Sequence, residues 1–414
     1  MKILEVVKKE ESLDSVFSRI DTSVACEESV IRRYRNLFSL PESEDPDNRY
    51  SNILLEISQQ EGARIFPLLT YRGVDVYIMD ETTLMRTGTM RSVDGCTTIA
   101  RCKLHGLDRV VFESGGNSGS GLCDYANKAG IETFLFLPVE NLPLLDSSIF
   151  AHPLAHLVGV EKPHITKASG NHFGTRASIT HIPKLEWRYM AAGFRGAFIM
   201  EYMMSGKRFD WISQTISAAF GPIGIYKVFE TFRKDLGSIP RFLGVQQEAN
   251  CPMFRSWKTE GDNVRAIDID STDVLLSRIL YDVRPQTYGS HRELNNMLSR
   301  TNGDITTVNA SEFLALLGNL IEGQNSFEHL GRHGVGIPFD GDMPVERTGL
   351  IALAGTLKEI QNGTIQAGQS VLCCLTSAAT RADGQARAEA IIPLDGMEDA
   401  IDAYCRAQNL LSCA

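Results

Sequence analysis

The residues best suited to chemistry lie in two glycine-rich turns. The first reads Phe112-Glu113-Ser114-Gly115-Gly116-Asn117-Ser118-Gly119-Ser120-Gly121, between an apolar strand-like run at Arg109–Phe112 and a helix-like pattern beginning near Ser120. Backbone N–H groups at a helix N-terminus, opened by glycines and flanked by small hydroxyls, form a site for a carboxylate or a phosphate. The same spelling also serves a tight strand-to-helix turn that needs glycine only for positive φ. The second turn, Phe220-Gly221-Pro222-Ile223-Gly224, again joins a strand-like run to a helix-like one and suits a phosphate in the same way. Neither matches the dinucleotide pattern GxGxxG, because no acidic residue ends a second strand at the right distance.

Other constellations carry less. Five of the nine histidines fall between His152 and His181, and the pairs His152/His156 and His329/His333 have the i,i+4 spacing that zinc sites use on a helix. Pro153, Gly331 and Gly334 interrupt regular helix there and no third ligand is evident, so no metal is expected; hydrogen bonding or substrate contact near a cleft is the preferred role. Ser114 and Ser118 are flanked by glycine, but GGNSG is not the GxSxG elbow and no histidine partner is specified. The nine cysteines are scattered and include no CxxC pair, which predicts reduced thiols and a cytoplasmic protein. Arg32, Arg33 and Arg35 form a short basic run, read as a solvated face or an intersubunit contact.

The elements that must position these turns follow an alternating rhythm. Apolar runs at Val74–Met79, Arg109–Phe112 and Thr133–Leu137 read as strands, separated by helix patterns at Gly95–His105 and Ser120–Ala129. The rhythm returns with strands at Ser213–Phe220, Phe242–Val245, Ile305–Val308 and Ser370–Leu375. Helices are predicted at Ile225–Leu236, near Thr272–Leu280, and at Ser290–Leu298, Ala310–Leu320 and Gly349–Asn362. Strand–helix–strand repetition means parallel sheets covered on both faces, with ligands at the carboxyl ends of the strands. The first ~65 residues read as a polar helical region. The 414 residues, 43% hydrophobic, can bury one large or two medium cores, and a formal charge of −10 argues against non-specific binding to nucleic acid or anionic membrane. No apolar run reaches the ~18–20 residues a membrane helix needs, and Met1–Glu11 lacks the apolar stretch of a secretory leader.

In order and spacing, these segments resemble the threonine synthase branch of the fold-type II pyridoxal-phosphate enzymes, from about Glu61 to Asp383. Asp80-Glu81 followed by Thr87-Gly88-Thr89-Met90 is similar to that family's approach to its cofactor lysine. Ser114 to Gly119 resembles its SSGNTG loop, and Tyr125-Ala126-Asn127-Lys128-Ala129-Gly130 its YAARAG helix end. Phe242–Glu248 (FLGVQQE) resembles its VGVQAE strand, Pro344-Val345-Glu346 its Pro-Glu pair, and Leu375-Thr376-Ser377 its LTG segment. The resemblance implies a two-domain α/β architecture like that of tryptophan synthase β. Residues 85–194 would form the smaller domain, and 1–84 with 195–414 the larger. It further implies pyridoxal phosphate, a small amino-acid-like substrate and a homodimer. Carried over, Asn117 would bond the phenolic oxygen of the cofactor, and Ser114, Ser118 and Gly119 would receive the substrate carboxylate. Gly221 and Gly224 would cradle the phosphate, and Thr376 would meet the pyridine nitrogen.

The chain departs from that pattern at its most important residue. Four residues after Thr87, where the family has its Schiff-base lysine, stands Arg91; Met90, Ser92 and Val93 are not lysines either, and Lys103 lies about three helical turns further on. The chain as a whole has 13 lysines against 28 arginines. A guanidinium stays protonated and is a poor nucleophile, though its fork of donors suits a carboxylate or phosphate. Pyridoxal phosphate would then be held without a covalent bond, or be absent, with the cleft used for other chemistry or kept by an inactive paralogue. Deliberate replacement of a catalytic lysine would leave the same residue. Lys167 and Lys227, which neighbour matched segments, are the candidate substitutes. Glu61–Leu68 (EGARIFPL) lacks the threonine of the family's GEGxTPL, which implies altered substrate selection, and FGPIG is poorer in glycine than the family's GNGGN.

Overall fold

The computed structural model describes residues 11–258, 269–281, 290–378 and 382–410. Among these, two sheets dominate. The first has six strands in the spatial order Arg64–Tyr71, Val74–Asp80, Ser370–Leu375, Trp211–Thr215, Arg241–Gln247 and Asp304–Val308. Only the first pair is antiparallel, joined by a tight turn; the other neighbours are parallel. The second has five, all parallel, in the order Ala390–Ile392, Ala155–Val160, Glu132–Pro138, Arg109–Glu113 and Thr180–His181. Both are the helix-covered α/β sheets expected from the alternating rhythm. Parallel strands covered on both faces must be apolar throughout, and Glu132–Pro138 is buried at six of its seven positions.

Tight helix packing sets the spacing between layers. The 20-residue helix Leu185–Met204 is buried along most of its length and lies against Phe220–Thr231. A Cβ on Gly196 would stand 3.1 Å from the Ile225 backbone, and one on Gly224 would meet Ala192 Cβ at 2.4 Å. Helix Arg91–Leu104 crosses Asn117–Ala129 just as closely: a Cβ on Gly95 would meet the Gly121 carbonyl at 2.3 Å, and one on Gly121 the Arg91 carbonyl at 2.5 Å.

Several elements differ from expectation for identifiable reasons. Instead of a helix near Thr272–Leu280 there is one 3-10 turn, Thr272–Val274. The buried Gln247 side chain accepts the Ser277 N–H (2.8 Å) and donates to the Ser277 and Leu280 carbonyls, taking backbone groups a helix would need. The strand expected to run to Phe220 ends at Thr215, because Ala219 turns into the left-handed region (φ 58°) and helix begins at Phe220. Although 195–414 is expected in the larger lobe, strand Ala390–Ile392 pairs with Ala155–Val160, and helix Met397–Ala407 packs on Thr166–Ala177. The basic run works within the chain: Arg33 pairs with Glu201, Arg35 with Asp21, and Arg32 donates to Ser58. No helix among the described residues is long and apolar enough to cross a membrane.

Candidate functional site

Strands Arg109–Glu113, Trp211–Thr215 and Ser370–Leu375 end around a cavity of about 450 Å³. Arg91, Ser114, Asn117, Ser118, Gly221 and Thr376 all line it, so six of the eight predicted site residues are brought together. Gly119 and Gly224 stand outside the lining.

The first turn is built by local hydrogen bonding. Gly116 has φ 151°, in the region open chiefly to glycine, and lets the chain leave the strand and enter helix at Asn117. Ser114 Oγ accepts the N–H groups of Gly116 (3.1 Å) and Gly119 (2.9 Å), so the Gly119 N–H is already occupied within the loop. The first-turn N–H groups of Asn117 and Ser118 have no intrahelical acceptor, and both residues line the cavity. Asn117 is oriented by donating Nδ2 to Glu346 (3.1 Å), whose other oxygen accepts the Thr348 N–H. Asn141 pins the loop through the Gly115 carbonyl (2.9 Å).

Arg91 begins its helix, and the Gly95/Gly121 crossing holds that helix against the first turn. Its guanidinium is paired with Asp94 and about a quarter exposed. Thr376 is held beside it: the Thr376 carbonyl accepts the Met90 N–H (2.9 Å), and Thr89 bridges Ser377. The hydroxyl of Ser377, also in the lining, is buried with no partner.

At the second turn the donors come partly from behind. Gly221 lines the cavity, and a Cβ there would stand 2.7 Å from Gln214 Nε2 and 2.9 Å from Arg195 Nη1. Arg195 is 3% exposed and forked onto the fully buried Glu81, with a further bond to Gln214 Oε1 (2.8 Å). Burial opposes the Arg195 charge, but the attraction and hydrogen bonds of Glu81 leave its pKa above the ordinary arginine value. Burial pushes the Glu81 carboxyl up.

The rest of the lining includes Lys167, His164 and Asn171 around the start of helix Thr166–Ala177, together with Arg188. Glu113 is the one carboxylate among the described lining residues, and it contacts His181. Of the lysines considered from the sequence, Lys167 alone lines the cavity; Lys227 faces Glu293 (3.3 Å) and Lys103 faces Glu56 (2.6 Å). Segment Glu61–Leu68 lies outside the lining, with Arg64 paired to Asp80 (3.0 Å). His152 and His156 share no helix: His156 lies in strand Ala155–Val160 between Glu132 and Glu389. His329 bonds the Ile321 carbonyl, whereas His333 stacks on Phe66. No group of three metal-ligating side chains occurs among the described residues. Sequence reasoning missed Gln214, Arg195 and Ser377. Ser377 could have been found from its place beside Thr376; the other two sit inside apolar runs and give no local signal.

No protein-family model matches the sequence, and no curated protein sequence matches it. Solved structures do. Diaminopropionate ammonia lyase from Escherichia coli, in complex with an aminoacrylate–pyridoxal-phosphate reaction intermediate, superposes with TM-score 0.58 at 12% identity, over 82% of this chain and 90% of that one. Threonine deaminase isoform 2 from Solanum lycopersicum gives 0.56 at 13%, over 81% and 85%. Maize serine racemase gives 0.55 at 13%, over 81% and 95%. The chain has the fold-type II architecture. At these identities it is the path of the chain that is shared, and chemistry must be argued from the cavity.

Proposed function

We propose that this chain is a threonine synthase-like relative of the pyridoxal-phosphate enzymes. It would bind the cofactor without a covalent lysine link and act on an amino acid or phosphorylated amino acid by β- or γ-elimination or replacement. The observation that carries this is the convergence of two helix N-termini, Asn117 and Thr376 on one cavity, with Arg91 at its wall. The residues present fit the group: Gly221 opens a cradle that a Cβ would fill, and the Arg195 Nη1 behind it has no partner. Asn117 would hold the phenolic oxygen, Gly221 the phosphate, and Thr376 the ring nitrogen as a neutral hydroxyl. Ser118 and the first-turn N–H groups would take the substrate carboxylate. When bound, pyridoxal phosphate supplies an electron sink for charge developing beside the amino group. A smaller domain of residues 85–194, its sheet extended by Ala390–Ile392, a cytoplasmic location and a homodimer belong to the same proposal.

One observation favours a second reading, a non-catalytic binding or regulatory paralogue. Arg91, paired with Asp94, lies in the cavity wall, and the sequence resemblance would align it with the family's nucleophile. The test is equilibrium binding of pyridoxal phosphate, followed by absorbance and product analysis across a panel of amino acids and their O-phospho derivatives. Cofactor binding with turnover of any member supports the enzyme, and binding without turnover the paralogue. Absence of cofactor binding overturns the pyridoxal-phosphate enzyme and leaves a paralogue, or an enzyme that uses the cleft without the cofactor.

A further inference from the structure

The two ends of the cavity differ in the donors they present, and one of those donors is a buried side chain without a partner. At the second turn Pro222 brings no N–H to the first turn of helix Phe220–Thr231, so fewer backbone donors are available than a run of glycines would give. Behind that turn stand two side-chain donors. Arg195 Nη1 is buried and has no partner, although burying an unsatisfied N–H is costly and native structures avoid it. Gln214 spends its carboxamide oxygen on Arg195, which turns its Nε2 toward Gly221. Glu81 takes the other edge of the guanidinium, so the row Glu81–Arg195–Gln214 is locked in place before any ligand arrives. Only a glycine at 221 leaves both nitrogens within reach of the turn.

We propose that Arg195 and Gln214 form a second row of donors behind Gly221 that selects a phosphate monoester and retains it without a covalent bond. The pair replaces donors lost from the backbone and offsets the missing lysine link by strengthening the phosphate end. The proposal rests on the preceding function only for the identity of the molecule that carries the phosphate.

The experiment compares pyridoxal phosphate, pyridoxal and inorganic phosphate by titration calorimetry against the whole chain, Gln214→Leu, Gly221→Ala and Arg195→Lys. Thermal unfolding establishes that each variant is folded. Arg195→Lys keeps a cation beside Glu81 while removing the fork, so the test survives if other substitutions at 195 do not fold. Hydrogen bonds to a charged group predict that pyridoxal phosphate and inorganic phosphate weaken by about tenfold or more in each variant, with pyridoxal unchanged. A ratio of pyridoxal to pyridoxal-phosphate affinity that is the same in variant and parent overturns the proposal and leaves the cofactor reading standing. Phosphate binding that depends on Gln214, with no binding of either pyridoxal form, supports the phosphate row and overturns the cofactor reading. Failure of all three probes to bind the parent overturns both.

Discussion

The turns at Ser114–Ser118 and Ala218–Pro222 occupy equivalent places, each between the end of a parallel strand and the start of a long helix, yet they are rigid for different reasons. The first is held by backbone. Glycine torsion at 116, two N–H groups folded onto Ser114 Oγ, and a helix crossing too close for any side chain at 95 or 121 fix it. The second is held by side chains, with Glu81, Arg195 and Gln214 buried beneath it. A helix N-terminus facing the cavity is thus fixed by two routes, one limited by chain geometry and the other by a buried charge that must stay paired.

The largest effect is expected at Glu81. Glu81→Gln leaves Arg195 buried without its counter-charge, which predicts a loss of about 3–5 kcal/mol in urea unfolding. The double variant Glu81→Leu with Arg195→Leu regains most of that stability, because the unpaired charge is gone, while losing phosphate affinity. Recovery of phosphate binding along with stability would show that the buried row is structural only.

Gly121→Ala comes next. Its Cβ meets the Arg91 carbonyl at 2.5 Å, and backbone cannot yield cheaply, so about 1–3 kcal/mol should be lost. Gly221→Ala meets Gln214 Nε2 at 2.7 Å and Arg195 Nη1 at 2.9 Å, side-chain atoms that can shift only by loosening the bonds to Glu81, and should lose somewhat less than Gly121→Ala, which meets backbone, under the same unfolding assay. Equal losses would erase the distinction between the two ends. Smallest in stability terms is Glu346→Gln, which exchanges a charged acceptor for a neutral one on Asn117 and should cost about 0.5–1.5 kcal/mol of cofactor binding. Unfolding should scarcely change, and the calorimetric difference between parent and variant checks it.

Legibility in the sequence divides along the same line. The first turn could be read because its chemistry is spelled locally: Ser114 through Gly121 lists the glycines and hydroxyls in consecutive order. The second was read only in part, since Gly221 is visible but its donors come from Gln214 on a strand and Arg195 on an apolar helix, distant in the chain. Gly224 looks like part of the same glycine turn, although its missing side chain makes room for Ala192 and the Tyr189 carbonyl. The helix expected near Thr272–Leu280 failed similarly, because Gln247, some 30 residues away, claims its backbone. Much of the alternation was legible, as parallel sheets demand apolar runs, but strands Arg64–Tyr71 and Ala155–Val160 and helices Thr166–Ala177, Leu185–Met204 and Met397–Ala407 lie outside the expected elements. Attachment of Ala390–Ile392 to the second sheet depends on pairing across more than 200 residues, and nothing local announces it.

If the cavity is a pyridoxal-phosphate site that lacks only its nucleophile, as proposed, Arg91→Lys restores it. Parent and variant are incubated with pyridoxal phosphate, scanned in the visible range, reduced with borohydride and mapped by peptide mass spectrometry. A new visible band is expected in the variant alone, bleached by borohydride, with the pyridoxyl mass fixed on residue 91. A variant that binds no cofactor would overturn the cofactor site, and a parent already labelled at Lys167 would overturn the missing nucleophile.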